Sequence, residues 1–175
     1  ISCRYLNERN PATNLGVLYP YRALEDAERL TSSNYNPQGG TPLYQQSEIT
    51  LTGVAAKMAE FEQGGVAARA VTVIVTDGGD NNGPNVPRNL TDMVTGLLRT
   101  EQHIIAGMGI DDGGYSDFRQ IFADMGIADE WILTPDNTPG EIRKAFAVVS
   151  QSAVRASQAA GGSFSQVAMG GFGTP

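Results

Sequence analysis

The run Val71-Thr72-Val73-Ile74-Val75-Thr76 constrains this chain more than any other feature. Every residue in it is branched at Cβ, which restricts χ1 and favours a strand over a helix. The run does not alternate with polar residues, so it predicts a strand buried on both faces, as in a parallel sheet. Parallel neighbours need long crossover connections, usually helices. The flanking sequence supplies them. Leu51, Val54, Ala55, Met58 and Phe61 recur at helical spacing, predicting a helix over Pro42–Glu62 that stops at Gly64-Gly65. After the run, Leu90, Met93, Val94, Leu97 and Leu98 mark a second helix. His103–Ile110 is a second buried strand, and Phe118, Ile121, Phe122 and Met125 mark a third helix. Glu130–Leu133 is a short strand. Ile142, Phe146, Val149 and Ala153 mark a closing helix, with Glu141 in its first turn where the helix dipole favours an acid. This order predicts an α/β fold: a mostly parallel open sheet in three layers, Rossmann-like, with helices on both faces.

The N-terminal part reads differently. Ile1–Asn7 and Val17–Tyr21 are short strand-like runs around the turn cluster Asn10-Pro11-Ala12-Thr13-Asn14, which predicts a hairpin. Leu24–Leu30 is a short helix, followed by a polar loop from Thr31 to Thr41. One α/β domain is expected over 1–158, and a Gly-rich flexible tail over 159–175. A chain of 175 residues is long enough to bury a core without staples. The single cysteine, Cys3, excludes an internal disulfide framework and a Cys-based zinc cluster, and favours an intracellular setting. A net charge of −7 argues against a nucleic-acid binder, which needs a basic face. No apolar stretch approaches the roughly 20 residues of a membrane-spanning helix.

In an open parallel sheet, ligands bind beyond the carboxyl ends of the strands. The first β-branched run delivers Asp77 there, and the second strand delivers Asp111 and Asp112. The loop ahead of the first long helix delivers Thr41. These are hard oxygen donors, suited to Mg²⁺, Mn²⁺ or Ca²⁺ and not to zinc or copper. Asp77 ends an apolar strand and precedes Gly78-Gly79. A carboxylate so placed either binds a cation or caps the following turn. Thr41 precedes Pro42, which suits the first helical position, so Thr41 reads as the N-cap of that helix. That role leaves room for a second one facing an ion. Asp80, Asp111 and Asp112 read as turn residues at the rim of the same site. His103, the sole histidine, reads as a surface or strand-end residue.

Gly39-Gly40-Thr41-Pro42-Leu43, a helix, and then Val73-Ile74-Val75-Thr76-Asp77-Gly78 together resemble a von Willebrand factor A domain. The later order of buried strand, helix, short strand and closing helix is also similar to that family. The resemblance runs to about Gln158. It implies a metal-ion-dependent adhesion site in which Thr41 matches the threonine of the second metal loop and Asp77 the aspartate of the third. It also implies Mg²⁺ as the usual cation, with a partner's acidic side chain or water completing the coordination. The family's first loop, Asp-x-Ser-x-Ser, has no counterpart in the sequence. By topology it falls ahead of Ile1, so the resemblance implies a domain truncated by its N-terminal strand–helix unit.

Three functions follow as expectations. The first is a non-enzymatic, divalent-metal-dependent protein-binding module that takes a partner carboxylate. The second is a structural or assembly domain with a degenerate, metal-free site. The third is a metal-dependent phosphoryl-transfer enzyme. That enzyme needs a second carboxylate two residues after Asp77 or a nearby lysine. Position 79 is Gly, and Lys57 and Lys144 are the only lysines.

Overall fold

The first β-branched run is a strand, and its neighbours fall on either side of it in the order expected. A computed structural model describes residues 1–6, 16–35, 39–81, 88–158 and 166–172. The expected turn at Asn10–Asn14 lies outside the described residues, as do 159–165 and 173–175 of the expected tail. The chain is a mixed α/β protein with a three-stranded parallel sheet. Its elements are β1 (Cys3–Arg4), β2 (Val17–Tyr19), α1 (Leu43–Gln63), β3 (Ala70–Thr76), α2 (Arg88–Arg99), β4 (His103–Gly109), α3 (Phe118–Asp124), β5 (Ile132–Leu133), α4 (Pro139–Gln158) and α5 (Gln166–Met169). The sheet order is β3-β4-β5, with Ala70 opposite His103, Thr76 opposite Gly109, and Gly107 opposite Ile132. β1 and β2 pair antiparallel in a separate two-stranded sheet, Cys3 opposite Tyr19.

Burial along the two long strands differs, and this corrects one expectation. Every residue of β4 is buried. In β3 only Thr72, Ile74 and Thr76 are buried, Val73 and Val75 are half-buried, and Val71 is 39% exposed. The reason is position: β4 lies between two strands, whereas β3 has one strand partner among the described residues. The unalternating apolar signature belongs to the central strand.

α3 packs directly onto β4. Phe122 and Phe118 lie over Gly107 and Gly109, so closely that a Cβ at Gly107 would meet the Phe122 ring at 2.5 Å and one at Gly109 the Phe118 ring at 2.1 Å. Two glycines in the strand thus make flat seats for two aromatic rings. α2 is tied to the end of α3 by Thr91 Oγ1, which donates to the Asp124 carbonyl at 2.6 Å. Leu43 and Leu51 of α1, Leu90 and Val94 of α2, Ile104 and Ile105 of β4, and Trp131 complete the core. Burying each such side chain contributes about 1.5–3 kcal/mol. Phe61 departs from the amphipathic pattern: it is 38% exposed, beneath the Lys57 ammonium at 5.0 Å.

Other expectations shift at their edges. The short helix expected over Leu24–Leu30 is a single 3-10 turn at Leu24–Asp26. The strand expected at Glu130–Leu133 shortens to β5, preceded by a 3-10 turn at Asp129–Trp131. α4 opens on Thr138, whose hydroxyl accepts from Glu141 N at 3.3 Å. Of the expected flexible tail, residues 166–172 are packed against the domain: Gln166 is 5% and Phe172 8% exposed, and the Phe172 ring lies 5.2 Å from that of Trp131. Composition alone reads glycines as freedom, whereas here an aromatic and an amide between them find partners.

Candidate functional site

β3 and β4 both deliver their carboxyl ends to one edge of the sheet, and Ile110 N donates to Thr76 O at 2.8 Å just beyond the ladder. Asp77 and Asp111 therefore leave neighbouring strands at the same edge. The turn after β3 is fixed by Thr76, whose hydroxyl donates to Gly78 O at 2.7 Å and accepts from Gly78 N at 3.2 Å. The capping role considered for Asp77 thus falls to its neighbour. Asp77 is exposed, and its carboxylate makes no hydrogen bond among the described residues.

The loop ahead of α1 is laced to this turn. Thr41 N donates to Asn81 Oδ1 at 2.6 Å, and Asn81 N donates to Thr41 O at 3.1 Å. Forty residues of sequence separate the two, and the reciprocal pair holds the Thr41 loop beside the Asp77–Asn81 loop. Thr41 does not cap α1 as expected. The residue before the helix is Pro42, whose carbonyl accepts from Gln46 N at 2.9 Å, and no side chain caps that end. The Thr41 hydroxyl makes no hydrogen bond among the described residues, so it is spent neither on the cap nor on the turn. Gly39, with φ of 107°, takes the chain into this loop in a conformation that favours glycine.

Asp80 lies deeper than a rim residue. Both its carboxylate oxygens are shielded from solvent and have no hydrogen-bond partner among the described residues. A buried carboxylate without a partner is costly. Asp111 and Asp112 are the exposed turn residues expected. Asp111 Oδ1 accepts from Gly113 N at 2.8 Å, and Asp112 Oδ1 from Gly114 N at 2.9 Å. The Asp111 backbone is tied to the segment after β5, with Asp111 N donating to Pro135 O at 2.9 Å and Asn137 N to Asp111 O at 2.8 Å.

Three residues of this neighbourhood carry no local signal. Asn81 reads as one more turn residue, and its pairing with Thr41 exists only in the fold. Tyr35 stacks on Tyr5 with ring centroids 6.0 Å apart. Burial and, after it, the negative charge of Asp77 push the Tyr35 hydroxyl pKa up, which places that ring within electrostatic reach of Asp77. Tyr44 is raised by burial first, then by Asp124 and Asp80. His103, expected at a surface or strand end, begins β4 but is 3% exposed, with Nδ1 unpartnered among the described residues. Burial lowers its pKa. It stands at the opposite end of the strand from Asp111, away from the candidate site.

The donor set is compatible with a hard cation. Among the described residues, no three His, Cys, Asp or Glu side chains gather closely enough to hold a metal by themselves. Mg²⁺ does not require such a group: it keeps several waters and binds through one or two carboxylates. Asp77 offers one carboxylate and Thr41 one neutral oxygen, on two loops held together by Asn81. No protein-family model matches this sequence, and neither a curated protein nor a solved structure matches it.

Proposed function

We propose that this chain is a divalent-cation-dependent protein-binding module of the von Willebrand factor A type, acting without catalysis. In this reading Thr41 and Asp77 hold Mg²⁺, or Mn²⁺ or Ca²⁺, at the carboxyl end of β3. The carboxylate of a partner's Asp or Glu completes the shell. A hard cation with few protein ligands attracts an outside carboxylate strongly, which makes the contact cation-dependent. The observation that supports the reading is the reciprocal pair between Thr41 and Asn81, which holds the Thr41 loop beside the loop that starts at Asp77. The fold of the reading has three layers, with helices on both faces. In it the β1–β2 pair and the β3-β4-β5 sheet are parts of one sheet. Support for that comes from the separate β1–β2 sheet and from the half-open face of β3.

The alternative is a structural or assembly domain with a degenerate, metal-free site, favoured by the lack of a three-ligand cluster among the described residues. Thermal unfolding separates the two. A bound cation at a hundred times its dissociation constant stabilises the folded state by about 2.7 kcal/mol. The binding-module reading expects Mg²⁺ to raise the midpoint over that in chelator, and Asp77→Ala to abolish the difference. Equal midpoints with and without Mg²⁺ in the unaltered chain favour the assembly reading.

A further inference from the structure

β3 is paired along one edge only among the described residues. Ala70 N donates to Gln102 O at 2.9 Å and Ile110 N to Thr76 O at 2.8 Å, so residues 70 and 76 turn their backbone groups toward β4. Every second residue of a strand faces the same neighbour, so Thr72 and Ile74 do likewise within the parallel register from Ala70–His103 to Thr76–Gly109. Val71, Val73 and Val75 turn their amides and carbonyls to the other edge. There they make no hydrogen bond among the described residues. β4 differs, because its outer edge is occupied: β5 pairs with Gly107 and Met108, and Gln166 Oε1 accepts from Ile105 N at 2.7 Å.

The free edge of β3 lacks the usual protection. Native sheets blunt such an edge with charges, proline, a bulge or a very short strand. β3 is seven residues long, reads Ala-Val-Thr-Val-Ile-Val-Thr, and keeps its register throughout. It holds no charge and no proline. The side chains of Val71, Val73 and Val75 share one face of the sheet, where Val71 is exposed and the other two are half-buried. Unpaired backbone and incompletely covered valines thus lie along the same strand.

We propose that the free edge of β3 receives an extended segment of a partner protein, which joins the sheet as a strand beside Val71–Val75. The chemistry of that segment follows from the edge. Its carbonyls accept from the amides of Val71, Val73 and Val75, and its amides donate to their carbonyls, a spacing that an extended backbone supplies. Its alternate side chains are apolar and β-branched, to continue the face formed by the three valines. Strand addition of this kind draws affinity from main-chain hydrogen bonds and specificity from alternate side chains. The inference is independent of any cation at Thr41 and Asp77.

The test uses the full chain and a short probe peptide of alternating valine and threonine with a lysine at each end. A control peptide carries Pro-Pro at its centre and cannot extend a ladder. The readout is amide hydrogen exchange along β3. In the free chain, Val71, Val73 and Val75 are expected to exchange about tenfold or more faster than Thr72, Ile74 and Thr76, since protection follows the hydrogen bonds that must open. The probe should slow the three valine amides by about tenfold or more, and the control peptide should not. Val73→Pro removes an N–H that faces the free edge and leaves the ladder to β4, because proline is tolerated on the open side of an edge strand. It should abolish the slowing while Ile74 stays protected. The two peptides give the answer on the unaltered chain even where the proline variant unfolds. Equal protection of both sets of amides in the free chain overturns the open edge. Valine amides indifferent to the probe, or slowed equally by the control, overturn strand addition. Dimers of the unaltered chain by light scattering, lost in Val73→Pro, place a second copy on the edge and overturn the partner strand.

Discussion

Gly107 and Gly109 carry the close packing of α3, because the rings of Phe122 and Phe118 sit where a Cβ would be. Overpacking of this kind costs about 1–3 kcal/mol and sometimes more. Gly107→Ala is expected to lower stability by at least that much in urea denaturation, whereas Gly53→Ala, with open space at its Cβ, should not destabilise. His103 supplies a pH dependence. Its folded pKa is lowered by burial, so between that value and the unfolded value near 6.5 the unfolded chain binds more protons. Its contribution to stability is complete above about pH 6.5 and is lost progressively as the pH falls from there toward the folded pKa. His103→Leu should flatten the decline in unfolding midpoint between about pH 7 and 5.5. A decline of the same slope in the variant would assign the effect to other groups. Asp80 behaves oppositely to a stabilising acid: its buried carboxylate lacks a partner among the described residues. In chelator, Asp80→Asn should therefore raise stability by about 1–3 kcal/mol, read by chemical denaturation.

At the scale of elements, the pairing of two loops decides whether the site exists. Asn81→Ala removes the acceptor for Thr41 N and one side of the lacing. A hydrogen bond of this kind contributes about 0.5–1.5 kcal/mol, so cation affinity should fall by about tenfold while the fold persists. Unchanged affinity would mean that the loops do not need each other. Much of this was legible in the sequence, and the reason is local. The β-branched run, the helical spacing of Leu90 to Leu98, and Asp77 and Thr41 at their loops are written in neighbouring residues. Asn81, Tyr35 and the glycine seats of β4 were not, because each depends on a partner far along the chain. The burial of β3 was misread because a β-branched run does not tell a central strand from one at an edge. The docking of residues 166–172 was missed for a similar reason: glycine content reports conformational range, and only the Glu130 carbonyl and the Trp131 ring show how that range is used.

For the molecule as a whole, the net charge of −7 matters through its local placement. Asp77, Asp111 and Asp112 emerge together at the carboxyl ends of β3 and β4, while Gln166 takes the Ile105 amide on the flank of β4. Direct binding of Mn²⁺ tests the first of these places most simply. Electron paramagnetic resonance of free Mn²⁺ during titration gives the isotherm without a partner or an activity. One site is expected in the unaltered chain, weakened about tenfold or more by either Asp77→Ala or Thr41→Val, each tenfold being about 1.4 kcal/mol. Asp112→Ala, whose carboxylate is engaged in its own turn, should leave the isotherm in place. An unaltered chain that leaves Mn²⁺ free, or an isotherm indifferent to Asp77→Ala, would contradict the proposed site.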